Sequence, residues 1–310
     1  TIGDAEPVTT PATFVAHPSI SADGRRLAYS SVLKTANIQK LSLDPSTGNV
    51  KGEPVWLTTG SQSWSSPDPG PDGQWIAFYS LVQPEGDVFV VRADGTGLRQ
   101  VTSDRAIDRM PRWSPDGKWL FCFSNRSGFF EVWKVRPDGS ELSQVSEGRN
   151  MWGSVFSPDG SRLAAGVLGG NARIFDPNRP WKEQHPQVIP DLENPRRRFS
   201  PNSWSPDGRL LAGVAGESLK GVVTYSLSDG RFDELDASGE WPVFLPDSRR
   251  LLFVSGGKTF LIQDIASKKT RKIFSVTRDV VGPPRLTRDG REAYYSRRVT
   301  EADIWLMAVQ

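Results

Sequence analysis

The sequence predicts an all-β protein, a seven-bladed β-propeller of four-stranded antiparallel blades. Three observations carry this: a tight-turn signal recurring at near-constant spacing, apolar positions fixed on both sides of each turn, and no convincing segment of helical periodicity.

The turn signal is strongest at Ser114-Pro115-Asp116-Gly117, Ser157-Pro158-Asp159-Gly160 and Ser205-Pro206-Asp207-Gly208. Weaker copies are Ser21-Ala22-Asp23-Gly24, Gly70-Pro71-Asp72-Gly73, Leu245-Pro246-Asp247-Ser248 and Thr287-Arg288-Asp289-Gly290. The seven aspartates are separated by 49, 44, 43, 48, 40 and 42 residues. A period of about 44 is that of a four-stranded propeller blade. Seven such units consume the chain, so one domain over residues 1–310 is expected. The turn has a physical cause. Proline pre-sets the first central position, aspartate suits the second, and glycine accepts the positive φ that closes the hairpin.

The flanks supply the strands. Three residues before the aspartate stand Ile20, Trp113, Phe156, Trp204, Phe244 and Leu286; the second copy has Pro69 there, within the doubled turn Pro67-Asp68-Pro69-Gly70, which reads as a local insertion. Four residues after it stand Leu27, Ile76, Leu120, Leu163, Leu211, Leu251 and Ala293. A third strand follows, as in 87–91, 131–135 and 303–307, and then a short polar fourth, as in 98–102 and 142–146. Such a sheet hides both faces only between two others, and repeating that requirement closes a ring. The last unit stops after its third strand. Residues 5–10, whose Glu6-Pro7-Val8-Thr9 reads like the fourth strand at 53–58, are expected to complete the last blade and cover its open edge.

Lys+Arg 38 against Asp+Glu 36 leaves a net charge of +2, too balanced to point to nucleic acid or a membrane surface. The single cysteine, Cys122, excludes an intrachain disulfide and a Cys-rich zinc site, and leaves the redox compartment open. No apolar run approaches the roughly 18 residues of a bilayer span. The chain starts at Thr1 with no basic-plus-apolar leader and is expected to be a mature product or a piece of something longer.

The Ser-Pro-Asp-Gly turn followed by Lys or Arg, an apolar strand, and then Asp/Glu-Ile/Val-Trp/Phe resembles the TolB-type propeller repeat. The clearest copy runs from Arg112-Trp113-Ser114-Pro115-Asp116-Gly117-Lys118 to Glu131-Val132-Trp133-Lys134-Val135-Arg136-Pro137-Asp138-Gly139. The resemblance extends over all seven units. It implies the fold, and a place among periplasmic TolB propellers, sensor propellers of bacterial receptor Ser/Thr kinases and regulators, or N-terminal propellers of prolyl-oligopeptidase-like hydrolases. The ending Glu301-Ala302-Asp303-Ile304-Trp305-Leu306 looks most like the kinase- or regulator-attached kind. An extracytoplasmic location is implied by that resemblance alone.

Chemistry is sparse. The two histidines, His17 and His185, lie far apart and form no zinc motif, and no Gly-x-Ser-x-Gly elbow occurs. The turn aspartates read as backbone caps. No catalytic residue, metal or cofactor is assigned. Aromatics at Trp64, Trp152, Phe199 and Trp241 fall where connecting loops drop into a propeller's channel, and either stack on a ligand or plug it. Arginines crowd the same connections, among them Arg109 and Arg198, with acids such as Glu240 interspersed. The candidate ligand site at this channel mouth is therefore Trp64, Arg109, Trp152, Arg198, Phe199, Glu240 and Trp241, recognising an acidic peptide or protein segment. The alternative for the arginines is a solvated mixed surface. Two functions remain: a monomeric, non-enzymatic recognition or sensor propeller with a protein, peptide or small-ligand partner, or an enzyme. The latter is a lactonase-type hydrolase or the gating propeller of a prolyl-oligopeptidase-like peptidase. A lactonase needs converging metal ligands, and the inner-strand starts Ala16, Ser65, Arg109, Trp152, Ser200, Glu240 and Gly282 include one carboxylate.

Overall fold

A computed structural model of the chain describes residues 14–81, 86–148, 150–192, 198–215 and 220–308. The repeated turns close their hairpins as their side chains require. At 157–160, the Ser157 hydroxyl donates to Asp159 Oδ1 at 2.6 Å, and that oxygen accepts the Ser161 N–H at 3.1 Å. Ser157 Oγ in turn accepts the Arg162 N–H at 2.9 Å, and Gly160 stands at φ 74°. The turns at Ser114, Ser205 and Thr287 repeat the net.

The described residues open with β1 (Phe14–Ile20), β2 (Arg26–Ser42) and β3 (Val55–Trp56). Five regular four-stranded antiparallel blades follow. Blade one is β4 (Trp64–Pro69), β5 (Trp75–Ser80), β6 (Val88–Arg92) and β7 (Arg99–Gln100). Blade two is β8 (Asp108–Trp113), β9 (Leu120–Ser124), β10 (Glu131–Val135) and β11 (Ser143–Gln144). Blade three is β12 (Met151–Phe156), β13 (Leu163–Val167), β14 (Gly170–Phe175) and β15 (Gln187–Val188). Blade four is β16 (Phe199–Trp204), β17 (Leu210–Ala215), β18 (Val222–Ser226) and β19 (Phe232–Asp236). Blade five is β20 (Gly239–Phe244), β21 (Arg250–Ser255), β22 (Thr259–Asp264) and β23 (Thr270–Ser275). The described residues close with β24 (Val280–Val281), β25 (Arg285–Leu286) and β26 (Glu292–Ala308).

Second strands are apolar on both faces because a sheet lies on each side; every residue of β9, Cys122 among them, is buried. The outer strands β3, β7 and β11 are two residues long, and a hydroxyl just beyond each pins it to the third strand. Thr102 and Ser146 accept the N–H groups of Val88 and Val132 at 3.0 and 2.9 Å. Thr58 does the same for Ile38 at 2.9 Å.

The blade count differs from the expected seven. Five blades are regular, and the first and last repeats merge into one six-stranded sheet of β1, β2, β3, β24, β25 and β26. Within it β2 and β26 pair along their entire length, from Arg26 opposite Ala308 to Ser42 opposite Glu292. The physical reason is the link between second and third strands. Each regular blade has glycine there: Gly86, Gly128, Gly169, Gly221 or the Gly256-Gly257 pair. Segments 26–42 and 292–308 contain neither glycine nor proline, so each runs straight on as a 17-residue strand. The composite sheet closes the ring. Leu41, Ala293 and Tyr295 pack on Val243, Leu252 and Phe260 of blade five, and Ile38 and Tyr294 pack with Trp64, Ile76 and Phe78 of blade one. The outer strand expected at residues 5–10 lies outside the described residues.

Candidate functional site at the turn end of the channel

Consecutive inner strands (β4, β8, β12, β16, β20 and β25) surround a cavity of about 570 Å³. At one level each contributes a single residue, four positions before its turn aspartate: Asp68, Arg112, Val155, Ser203, Val243 and Arg285. Their registers match, opposite Ala77, Phe121, Ala164, Ala212, Leu252 and Tyr294 of the neighbouring strands. A bulge precedes this level in all five blades. In four of them the extra residue is left-handed: Ser66, Met110, Gly153 and Trp241, with φ of 50°, 51°, 60° and 52°. Such a bulge re-aims the side chains that follow it.

The six-residue ring divides into two arcs. Arg285, Asp68 and Arg112 are consecutive and charged; Val155, Ser203 and Val243 are apolar or small. Asp68 Oδ2 accepts the Trp113 N–H at 2.8 Å, tying blade one to blade two. Its other oxygen lies 3.8 Å from both Arg112 Nη1 and Arg285 Nε, too far for a hydrogen bond. Each arginine donates through Nη1 to the carbonyl of its preceding proline, Pro111 or Pro284. Arg112 Nε is buried and makes no hydrogen bond, as are Trp113 Nε1 and Asn202 Oδ1 on the same cavity wall. Both arginine side chains are only 9% exposed.

Two buried cations against one carboxylate leave a charge of +1 in the ring. Burial pushes the Asp68 carboxyl up, against the pull of Arg112, Arg285 and the Trp113 N–H. Burial and the charge of Arg112 pull Arg285 down to about 9, and burial lowers Arg112 against the pull of Asp68; a guanidinium keeps its proton in a protein. Arg288 adds an exposed cation at the lip. At the lip adjacent turns stack, Pro71 closely against Gly117 and Pro246 against Gly290, where a methyl group would collide. The arrangement can take an anionic group whose apolar remainder lies on Val155, Phe156, Val243 and Phe244.

The seven residues picked from the sequence stand at the opposite, strand-start end, and none lines this cavity. Trp64 is core, edge-on to Phe78 and Phe89 at 5.1 and 4.9 Å between ring centres. Phe199 is core too, packed on Tyr225 and Phe232. Trp152 and Trp241 are half-buried against the clusters of blades three and five. Glu240 pairs with Lys220 at 3.4 Å, Arg109 is partly exposed, and Arg198 is exposed. The ring had a signal in the sequence: the position four before each turn aspartate. Among the described residues no three His, Cys, Asp or Glu side chains gather as round a metal ion.

The family model for the TolB beta propeller domain matches residues 3–234. Among solved structures, a TolB-type protein from Agrobacterium tumefaciens is 15% identical with a TM-score of 0.68, covering 86% of this chain and 99% of that one. TolB from Acinetobacter baumannii is 15% identical with a TM-score of 0.58, covering 84% of this chain and 63% of its own length. Oligogalacturonate lyase from Vibrio parahaemolyticus is 13% identical with a TM-score of 0.52, covering 86% and 98%. At these identities the likenesses concern the fold alone. No curated protein matches the sequence. With three quarters of its length in that family model and the same repeated turn throughout, the chain belongs to the TolB beta propeller domain family.

Proposed function

We propose that this protein is a non-enzymatic recognition propeller that takes a segment of a peptide or protein partner into the turn end of its channel. The observation that carries the reading is the pair Arg112 and Arg285, buried at one level of the cavity with a single carboxylate between them, the Nε donor of Arg112 being left without a hydrogen bond. Buried guanidiniums cost several kcal/mol of desolvation each, which the long contacts to Asp68 repay poorly. A ligand anion would repay it. The cavity falls within the range typical of ligand sites, roughly 300–1,000 Å³, and the stacked turns pre-organise its lip. In this reading the propeller is a monomeric sensing or interaction domain of a larger bacterial signalling or envelope protein, working outside the cytoplasm.

The test is a peptide-display screen on the purified protein, with selected peptides measured by calorimetry. Arg112→Gln is expected to weaken selected peptides at least tenfold and to flatten their salt dependence. Arg109→Ala combined with Arg198→Ala, at the other end, is expected to change affinity less than twofold. Peptides indifferent to Arg112→Gln, or turned over by the protein, would overturn the reading.

A further inference from the structure

We propose that the channel ring selects one negative charge on an apolar body: a single carboxylate seated between Arg112 and Arg285. This rests on reading the turn end of the channel as the binding site. Three observations on that ring converge. Its buried charge is two guanidiniums against one carboxylate, which matches a monoanion and leaves a dianion underpaired. The charges occupy consecutive positions on one arc, Arg285, Asp68 and Arg112, while Val155 and Val243 stand on the other. A ligand that spans the channel therefore meets cations with one end and hydrocarbon with the other. The walls one residue further along are Pro69, Trp113, Phe156, Trp204, Phe244 and Leu286, none of them charged, so that beyond the ring the one further cation lining the cavity is the exposed Arg288 at the lip, where solvent screens it. Asp68 sets the charge count. Its Oδ2 is engaged by the Trp113 N–H, which holds the carboxylate at the ring level, 3.8 Å from each arginine.

Two sources present such a group, the C-terminus of an apolar peptide and a free organic acid. Four probes separate them by calorimetry: N-acetylated Leu-Val-Phe with a free C-terminus, its C-terminal amide, 4-phenylbutanoate, and 4-phenylbutylphosphonate. The tripeptide acid is expected to bind at least tenfold tighter than its amide, and phenylbutanoate tighter than the phosphonate. A tighter tripeptide acid identifies a chain terminus as the ligand, and a tighter phenylbutanoate a free acid. Arg112→Gln and Arg285→Gln should each cost at least tenfold for both carboxylates. Asp68→Asn keeps an acceptor for the Trp113 N–H while raising the ring charge to +2, so it should invert the preference toward the phosphonate. A merely structural Asp68 would not move that ratio. Should either arginine variant fail to fold, the acid-to-amide ratio and the Asp68→Asn inversion still decide. Equal binding of acid and amide, a phosphonate preferred by the unmodified protein, or an unchanged preference in Asp68→Asn would overturn the inference. If no probe binds, the monocarboxylate assignment falls. Peptides from the display screen that remain sensitive to Arg112→Gln would then leave the broader channel reading standing.

Discussion

The two arcs of the channel ring occupy equivalent positions on equivalent strands, yet they meet the same structural need with different chemistry. On the apolar arc, Ser203 Oγ accepts the Phe244 N–H of the next blade at 3.0 Å. On the charged arc, Asp68 Oδ2 accepts the Trp113 N–H at 2.8 Å. A serine thus suffices to tie one inner strand to the next. An aspartate with two arginines exceeds what the fold requires, and the excess is the part that function must explain.

This contrast can be broken experimentally. The largest effect is expected from Asp68→Ala, which removes the inter-blade acceptor and leaves two buried guanidiniums without a counter-charge. Urea unfolding should show a loss of about 3 kcal/mol. Converting the charged arc to the other kind, with Asp68→Ser, Arg112→Met and Arg285→Met together, should reverse the sign. A stability gain of about 1–2 kcal/mol is expected, with loss of carboxylate binding. A stability loss in that triple variant would mean that the charges serve the fold after all. Ser203→Ala leaves the Phe244 N–H unpaired and should cost about 1 kcal/mol, a measure of the tie without any charge.

The smallest effect concerns acid. The exposed turn carboxylate Asp159 is held down to about 2 by the Ser157 hydroxyl, the Ser161 N–H and the Ser161 hydroxyl. A depressed carboxylate stabilises the fold above its ordinary value and loses that contribution as pH falls toward its folded value. The stability gap between the unmodified protein and Asp159→Asn, present at neutral pH, should therefore shrink between pH 3.8 and about 2. Asp68, pushed up by burial, runs the other way: its contribution is fullest at low pH and declines as pH rises above the ordinary carboxylate value.

The sequence carried the strands well because each turn is written in four residues whose conformational demands are local: Asp159 and Gly160 form the turn they predict. It carried the blade number poorly. Whether a unit closes depends on the link between its second and third strands, and turn counting ignores that link. The missing glycines in 26–42 and 292–308 are where the merger could have been read. The residues picked from the sequence and the candidate cavity stand at opposite ends of the channel for a related reason. Aromatic and basic residues at the strand starts attract notice, but along a strand each step of one residue turns a side chain to the other face. Trp64 and Phe199 consequently belong to the interior between sheets. Asp68, Arg112 and Arg285 were hidden beside a conspicuous turn, and their meeting depends on strands more than 40 residues apart in the chain.

The burial of β9 has a practical consequence. Cys122 is the chain's single thiol, fully enclosed and pushed by that burial well above its ordinary ionisation range. A thiol-reactive dye can modify it only during excursions in which the second blade parts from its neighbours. Labelling kinetics thus form a built-in clock for the opening of the ring beside Arg112, and a channel ligand should slow it.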